Sequence, residues 1–271
     1  MPVPLLTPDE LHDRCIAAVV QDGERIGVLA QELDAGRTPV AGGLQTEVPW
    51  VAGWTARDLI AHLGAVHRWV TGILRAGHTR PPGSYAGIAP PHDDLHGWYA
   101  LGLTELMATL RTTDADAPAW HMSPAAGRTA HDWARRQAHE HTVHRQDLEA
   151  AASLDHAPVD PVLAGDGVDE LLAVVLPRWQ HTAPLATAQA SVGVTATDLD
   201  RGWTVEVADG AVRCTDATTT DADAQLSGTA PQLLLHLWGR PAEVTVHGDR
   251  AAETLLANPV IEDVELHLST D

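Results

Sequence analysis

The sequence predicts an all-α N-terminal four-helix bundle, residues 1–155, followed by a smaller α+β domain, residues 162–271. The first part contains four long segments in which apolar residues recur at helical spacing, and loops of moderate length connect them. A linker with two prolines, residues 153–161, follows the fourth segment. Beyond it the pattern changes to short alternating segments, typical of strands, mixed with short helices. A chain of 271 residues is long enough for two such domains.

Helix starts are marked in the first part by a threonine followed three residues later by an acidic residue, the pattern of a capping box. The pairs are Thr7 with Glu10, Thr55 with Asp58, and Thr129 with Asp132. The first helix is expected to end near residues 34–36, the third to cover 93–111, and the fourth to lie within 128–152. A loop rich in proline, Gly77–Pro91, separates the second and third helices.

The C-terminal part is expected to form a sheet with covering helices. Alternating segments predict strands at residues 190–197, 202–208 and 211–215, the last two joined by an Asp209-Gly210 hairpin turn. Residues 225–228 and 243–247 add two more strands. Helices are expected at residues 167–180, with a break near Pro177, and at 231–238 and 250–257.

Composition excludes several classes of function. The formal charge is −20, all 17 basic residues are arginines, and such an acidic surface repels nucleic acid and anionic lipid. No apolar run approaches the roughly 20 residues that cross a bilayer. The N-terminus lacks the basic and apolar regions of a signal peptide, so the cytoplasm is the expected location. Cys15 and Cys214 are interpreted as small buried residues rather than as nucleophiles or a disulfide.

A candidate metal site lies on the second and fourth helices. Glu140 and His144 are four residues apart, so they share one face of the fourth helix. That face is apolar at both ends, and an ionised glutamate inside a bundle is costly unless it is paired or binds a cation. His62, on the apolar face of the second helix, can supply a third ligand. Two nitrogens and one oxygen suit zinc with one position left open, although cobalt, nickel or iron would also accept them.

Simpler interpretations of these residues stay open. His62 alone fits a hydrogen-bonded core histidine, and Glu140 with His144 fits a surface pair. Asp147 is either a partner that orients the His144 ring or a surface acid. Two other histidines of the fourth helix, His139 and His141, are expected on more exposed faces. In the second helix, His67 is expected at the edge of the apolar face.

Two patterns taken together resemble the mycothiol-dependent maleylpyruvate isomerase family, within the wider DinB-like thiol-using bundles. They are the second-helix pattern Trp-Thr-x-x-Asp-Leu-x-x-His-Leu, residues 54–63, and the fourth-helix pattern His-Glu-x-x-x-His-Arg-x-Asp, residues 139–147. The apolar segment Leu-Leu-Leu-His-Leu-Trp-Gly-Arg-Pro, residues 233–241, adds to the likeness. The resemblance covers roughly residues 8–257.

The resemblance implies a DinB-type bundle joined to a sterol-carrier-like domain. It also implies a divalent metal, usually zinc, held at His62, Glu140 and His144. Mycothiol, the low-molecular-weight thiol of actinobacteria, would supply the sulfur nucleophile. The family has an important arginine in its C-terminal domain, and Arg240 is the best match to it. A structural role for Arg240, as a cap or ion pair at the end of the helix, is an equally weighted alternative.

The expected function is therefore cis–trans isomerisation or sulfur transfer on a small electrophile that carries a carboxylate. Mycothiol and a divalent metal are the expected cofactors. A metal-dependent hydrolase that uses bound water is one alternative, and a non-catalytic thiol-binding or metal-binding stress protein is another. The partners expected are the electrophile and the thiol, with no nucleic acid or membrane, in a monomer or small homo-oligomer.

Overall fold

A computed structural model describes residues 6–77 and 83–256 of the chain. These residues form two compact units. The first combines Leu6–His121 with Arg128–Pro158, and the second combines Met122–Gly127 with the described chain from Val159 onward. The four long helices of the first unit are α1 (Pro8–Asp34), α2 (Ala56–Ala76), α3 (Leu95–Thr112) and α4 (Ala130–Ala151).

The predicted capping boxes are present at α1, α2 and α4. At α2, the Asp58 carboxylate accepts a hydrogen bond from the Thr55 backbone at 2.9 Å, and Thr55 Oγ1 accepts one from the Asp58 backbone at 3.3 Å. These bonds satisfy amides that have no partner inside the helix. Helix α2 ends at Ala76 and is capped by Gly77, whose φ of 56° is the left-handed conformation that favours glycine.

The bundle core forms where α1 packs against α4 and α2 packs against α3. Side chains from several helices, among them Leu59, Leu106 and Trp133, are fully buried. Helix α2 lies close to α3 at Gly64. A Cβ atom there would lie 2.1 Å from a ring atom of Trp98, so only glycine fits without rearrangement. No helix among the described residues has an apolar stretch long enough to cross a membrane.

The second unit contains a five-stranded sheet. Its strands are β1 (Ala190–Ala196), β2 (Arg201–Ala208), β3 (Ala211–Thr215), β4 (Ala224–Gly228) and β5 (Thr245–Gly248). Their order in the sheet is β3-β2-β1-β4-β5. Strand β1 pairs in parallel with β4, and the other neighbours are antiparallel. The helices are α5 (Pro161–Glu170), α6 (Leu176–Arg178), α7 (Ala230–Leu237) and α8 (Arg250–Thr254), and one π-helical turn covers Leu171–Val175.

Several predicted boundaries differ from the structure. The helix expected at residue 167 begins at Pro161, because Asp160 caps its first turn and proline fits the first helical position. The strand expected from residue 243 begins at Thr245. The last residue of the predicted closing helix, Ala257, lies outside the described residues, as do residues 78–82 of the predicted Gly77–Pro91 loop.

Candidate metal centre

Three side chains from α2 and α4 converge as the sequence predicts. Glu140 Oε1 lies 2.9 Å from Nε2 of His62 and 3.4 Å from Nε2 of His144. A tetrahedral ion with bonds of about 2.0–2.2 Å holds its ligand atoms about 3.3 Å apart. The two imidazole nitrogens and the carboxylate oxygen therefore fit a zinc-type ion. No other group of three or more potential ligands occurs in the part of the chain that the structure describes.

The local sequence explains how each ligand reaches this position. His62 lies seven residues after the Thr55 cap of α2, next to the buried Leu63. Glu140 and His144 are one turn apart on α4. The side chains of the three ligands are 9%, 19% and 11% exposed, in the order His62, Glu140 and His144. The ligand atoms are thus largely removed from bulk water, but the site is not sealed.

A second layer of side chains orients the ligands. Asp147 Oδ2 lies 2.9 Å from Nδ1 of His144, and Asp147 is fully buried. This contact places a proton on Nδ1 of His144 and directs Nε2 toward Glu140. Of the two interpretations of Asp147, the structure supports the orienting partner rather than the surface acid.

The second carboxylate oxygen of Glu140 has a separate partner. Arg136 Nη2 donates to Glu140 Oε2 at 3.0 Å, and Arg136 is 5% exposed. Arg136 was not among the residues predicted from the sequence. Its spacing of four residues before Glu140 is the signal that could have identified it.

Electrostatics keep Glu140 and His144 charged when no ion is bound. Burial by itself raises the pKa of Glu140, but hydrogen bonds from His144 and His62 and the charge of Arg136 bring that pKa well below its usual range. Burial disfavours the charged form of His144, yet its bonds to Asp147 and Glu140 outweigh this effect and raise its pKa to about 9. A metal ion at this candidate site would therefore compete with a proton for Nε2 of His144.

Two aromatic side chains pack beside the candidate ligands. The Trp54 ring lies 5.0 Å from the His62 ring and is stacked 6.2 Å from the His144 ring, measured between centroids. Tyr85 meets His62 edge-on at 5.8 Å. These rings limit the access of water to one side of the site, which strengthens its electrostatic interactions.

The expected exposure of three other histidines was wrong. His139 and His141 were expected on exposed faces of α4 and His67 at an edge of α2, but all three are fully buried. Because α4 contacts both α1 and α2, more than one of its faces is internal. His141 Nδ1 donates to the Gln137 carbonyl, and its Nε2 lies 2.8 Å from Nε2 of His67. The pair is a hydrogen-bonded part of the core.

Arg240 belongs to the second unit, where it is buried. Its Nη1 donates to the carbonyl of Trp238, the residue that caps the C-terminus of α7. This bond agrees with the helix-end alternative, and the catalytic role of Arg240 stays a prediction. Cys15 is buried, and burial raises the pKa of the Cys214 thiol to about 12, so both cysteines are poor nucleophiles.

The helical bundle is similar to a known domain family. Residues 28–149 match the family model described as the mycothiol maleylpyruvate isomerase N-terminal domain. The match covers less than half of the chain. The matched segment contains His62, Glu140 and His144, and it confirms the resemblance drawn from the sequence patterns.

Solved structures extend the likeness to the second unit. A crystal structure of the mycothiol-dependent maleylpyruvate isomerase matches with a TM-score of 0.59 at 14% identity, covering 90% of this chain and 97% of that chain. A histidine-to-alanine mutant of that enzyme matches with the same values. No curated protein matches this chain by sequence. At such low identity the match shows a common fold, and it confirms the predicted fold class of a bundle followed by an α+β domain.

Proposed function

We propose that this chain is a metal-dependent enzyme that uses mycothiol as a sulfur nucleophile, in the manner of a maleylpyruvate isomerase. The observation that carries the proposal is the convergence of His62, Glu140 and His144 inside the segment that matches the isomerase N-terminal domain. The enzyme would act on a small electrophile that carries a carboxylate. We place it in the cytoplasm, where low-molecular-weight thiols stay reduced.

The residues present fit a divalent ion, because two neutral imidazoles and one carboxylate are the donor types that zinc takes in catalytic sites. When bound, such an ion would lower the pKa of a thiol, so that the sulfur would be held as a thiolate at neutral pH. Asp147 keeps His144 in the tautomer that offers Nε2. Trp54 and Tyr85 cover one side of His62 and restrict water there.

The proposed reaction begins when the mycothiol sulfur adds to an electrophilic carbon of the substrate. The carbon–carbon double bond becomes single, and its electron pair moves onto the neighbouring carbonyl as an enolate. Rotation followed by loss of the same sulfur gives the other geometric isomer and returns the thiol. Protonation of the enolate with the sulfur retained gives a thioether. Arg240 is proposed to bind the substrate carboxylate or the enolate oxygen.

Thiol dependence tests the proposal directly. Full-length protein is assayed with maleylpyruvate and related unsaturated carboxylates, with and without mycothiol and with and without a chelator. Turnover is expected only when the metal and mycothiol are both present. His144→Ala should abolish it while the helical circular dichroism is retained, whereas His96→Ala, a surface histidine paired with Asp34, should behave as wild type.

Two results would contradict the proposal. Metal-dependent turnover in thiol-free buffer would instead support a hydrolase that uses bound water. Collapse of the fold in His144→Ala, with no thiol-dependent turnover in the wild type, would support a metal with a structural role only.

A further inference from the structure

The two oxygens of Glu140 have different partners. Oε1 lies 2.9 Å from His62 and 3.4 Å from His144, whereas Oε2 accepts a hydrogen bond from Arg136 at 3.0 Å. Arg136 is one turn before Glu140 on α4, and its side chain is 6% exposed. Oε1 thus faces the other two candidate ligands, whereas Oε2 is bound to a buried cation.

The hydrogen bond from Arg136 to Oε2 limits how Glu140 can bind an ion. A glutamate coordinates a metal through one oxygen or through both, and the second mode occupies an additional position on the ion. A guanidinium bound to one oxygen competes for the lone pairs that the second mode needs, and such a charge-assisted bond is strong when it is shielded from water. The pairing therefore favours coordination through Oε1 alone.

We propose that Arg136 is a positioning residue that restricts Glu140 to one-oxygen coordination and so keeps the fourth position of the ion open for the thiol sulfur. The inference rests on the metal part of the proposed function and deepens it. Arg136 also offsets the charge of Glu140, which leaves more of the ion's positive charge to attract an anionic sulfur. An arginine that served only to stabilise α4 would have no effect on coordination number.

The visible absorption of bound Co²⁺ reports its coordination number, because four-coordinate Co²⁺ absorbs several-fold more strongly than five- or six-coordinate Co²⁺. Full-length wild type, Arg136→Gln and Arg136→Lys are loaded with Co²⁺ and titrated with mycothiol. The wild type should give the intense four-coordinate spectrum. Arg136→Gln should lose intensity several-fold and bind mycothiol at least tenfold more weakly, and Arg136→Lys should recover most of both losses because its ammonium still pairs with Oε2.

A matched control separates this role from general loss of an arginine. Arg75 also lies in the bundle, near the opposite end of α2 from His62, and its Nε donates to Thr109 Oγ1 at 3.2 Å rather than to a candidate ligand. Arg75→Gln should lower the melting temperature while leaving the cobalt spectrum unchanged. A changed spectrum in this control would show that the readout reports stability, and it would overturn the assignment.

The remaining outcomes are also decisive. If Arg136→Gln binds Co²⁺ with the wild-type spectrum and mycothiol affinity, Arg136 is a helix ion pair only and the inference fails. If Arg136→Gln does not fold, a crystal structure of the zinc-loaded wild type decides, since both Glu140 oxygens at bonding distance would overturn the inference. Failure of the wild type to bind any ion would overturn the metal part of the proposed function itself, which distinguishes the two failures.

Discussion

At the scale of single residues, His144 can bind a proton and, in the proposed site, would bind the metal ion through the same ring nitrogen. It lies between the carboxylates of Glu140 and Asp147, with its ring nitrogens 3.4 Å and 2.9 Å from them. Without an ion, the two acids stabilise the imidazolium. An ion at the proposed site would require Nε2 to give up its proton. The contacts that orient the ring would therefore make the binding of that ion dependent on pH.

A pH dependence of stability follows for the metal-free protein. The pKa of His144 is about 9 in the folded chain and 6.5 in the ordinary side chain, so its contribution is fully present below pH 6.5 and is lost as the pH rises through 9. The free energy of unfolding should fall by roughly 3 kcal/mol over this interval. Urea denaturation in the presence of a chelator, at pH values on both sides of the interval, measures it.

The variant Asp147→Asn provides the control for this prediction. Removal of that charge lowers the pKa of His144, so the variant should be less stable than wild type below pH 6.5 and approach it above pH 9. A wild-type stability that stays constant across the interval would contradict the interpretation of His144 as a cation in the metal-free state.

The convergence of Glu140, His144 and His62 could be predicted in part from the sequence. Glu140 and His144 share a face whatever surrounds α4, and His62 was suggested by its place on an apolar face. Their role as metal ligands stays a prediction. The burial of His139 and His141 could not be predicted in this way, because it depends on how many neighbours α4 has. Arg136 carried a signal in its spacing, but arginine is common on exposed helix surfaces and does not by itself indicate a buried pair.

At the scale of helices, the positions of the ligands depend on how closely α2 lies to its neighbours. Gly64 is two residues after His62 and sits against the ring of Trp98 on α3. A larger residue there would separate α2 from α3 or displace the indole. Either response would move the helix that carries His62.

Paired glycine substitutions test this packing. Gly64→Ala should destabilise the protein by about 2 kcal/mol, because its Cβ would lie 2.1 Å from a Trp98 ring atom. Gly72→Ala, in the same helix with no atom within 4 Å of its Cβ, should be neutral or stabilising by about 1 kcal/mol. Thermal and urea denaturation of both variants measure the difference. A Gly64→Ala protein as stable as Gly72→Ala would show that α2 and α3 are not in close contact at this position.

The starts of helices could be predicted from the sequence where the residues that form the cap are close together in the chain. The starts of α1, α2 and α4 were predicted by their threonine and acid pairs, and the Asp209-Gly210 turn was predicted by its residue types. The start of α5 was missed, although Asp160 and Pro161 carry the signals of a cap and a first helical residue. Those residues were assigned to the linker because prolines there also fit a loop.

At the scale of the whole molecule, the fold follows from the change of pattern along the chain. Helical periodicity in the first part and alternation in the second predict a bundle followed by an α+β unit, and the structure has this architecture. The order of the sheet, with β1 central and parallel to β4, was not predicted. It depends on pairing between strands that are distant in sequence, for which local patterns give no information.

One measurement tests the central claim that His62, Glu140 and His144 hold an ion that binds the thiol. Zinc K-edge X-ray absorption is recorded on the zinc-loaded full-length protein before and after addition of mycothiol. We expect one zinc per chain bound by two imidazoles and oxygen, which gains one sulfur ligand at about 2.3 Å when the thiol is added. A protein that binds no zinc, or whose zinc gains no sulfur from mycothiol, would contradict it.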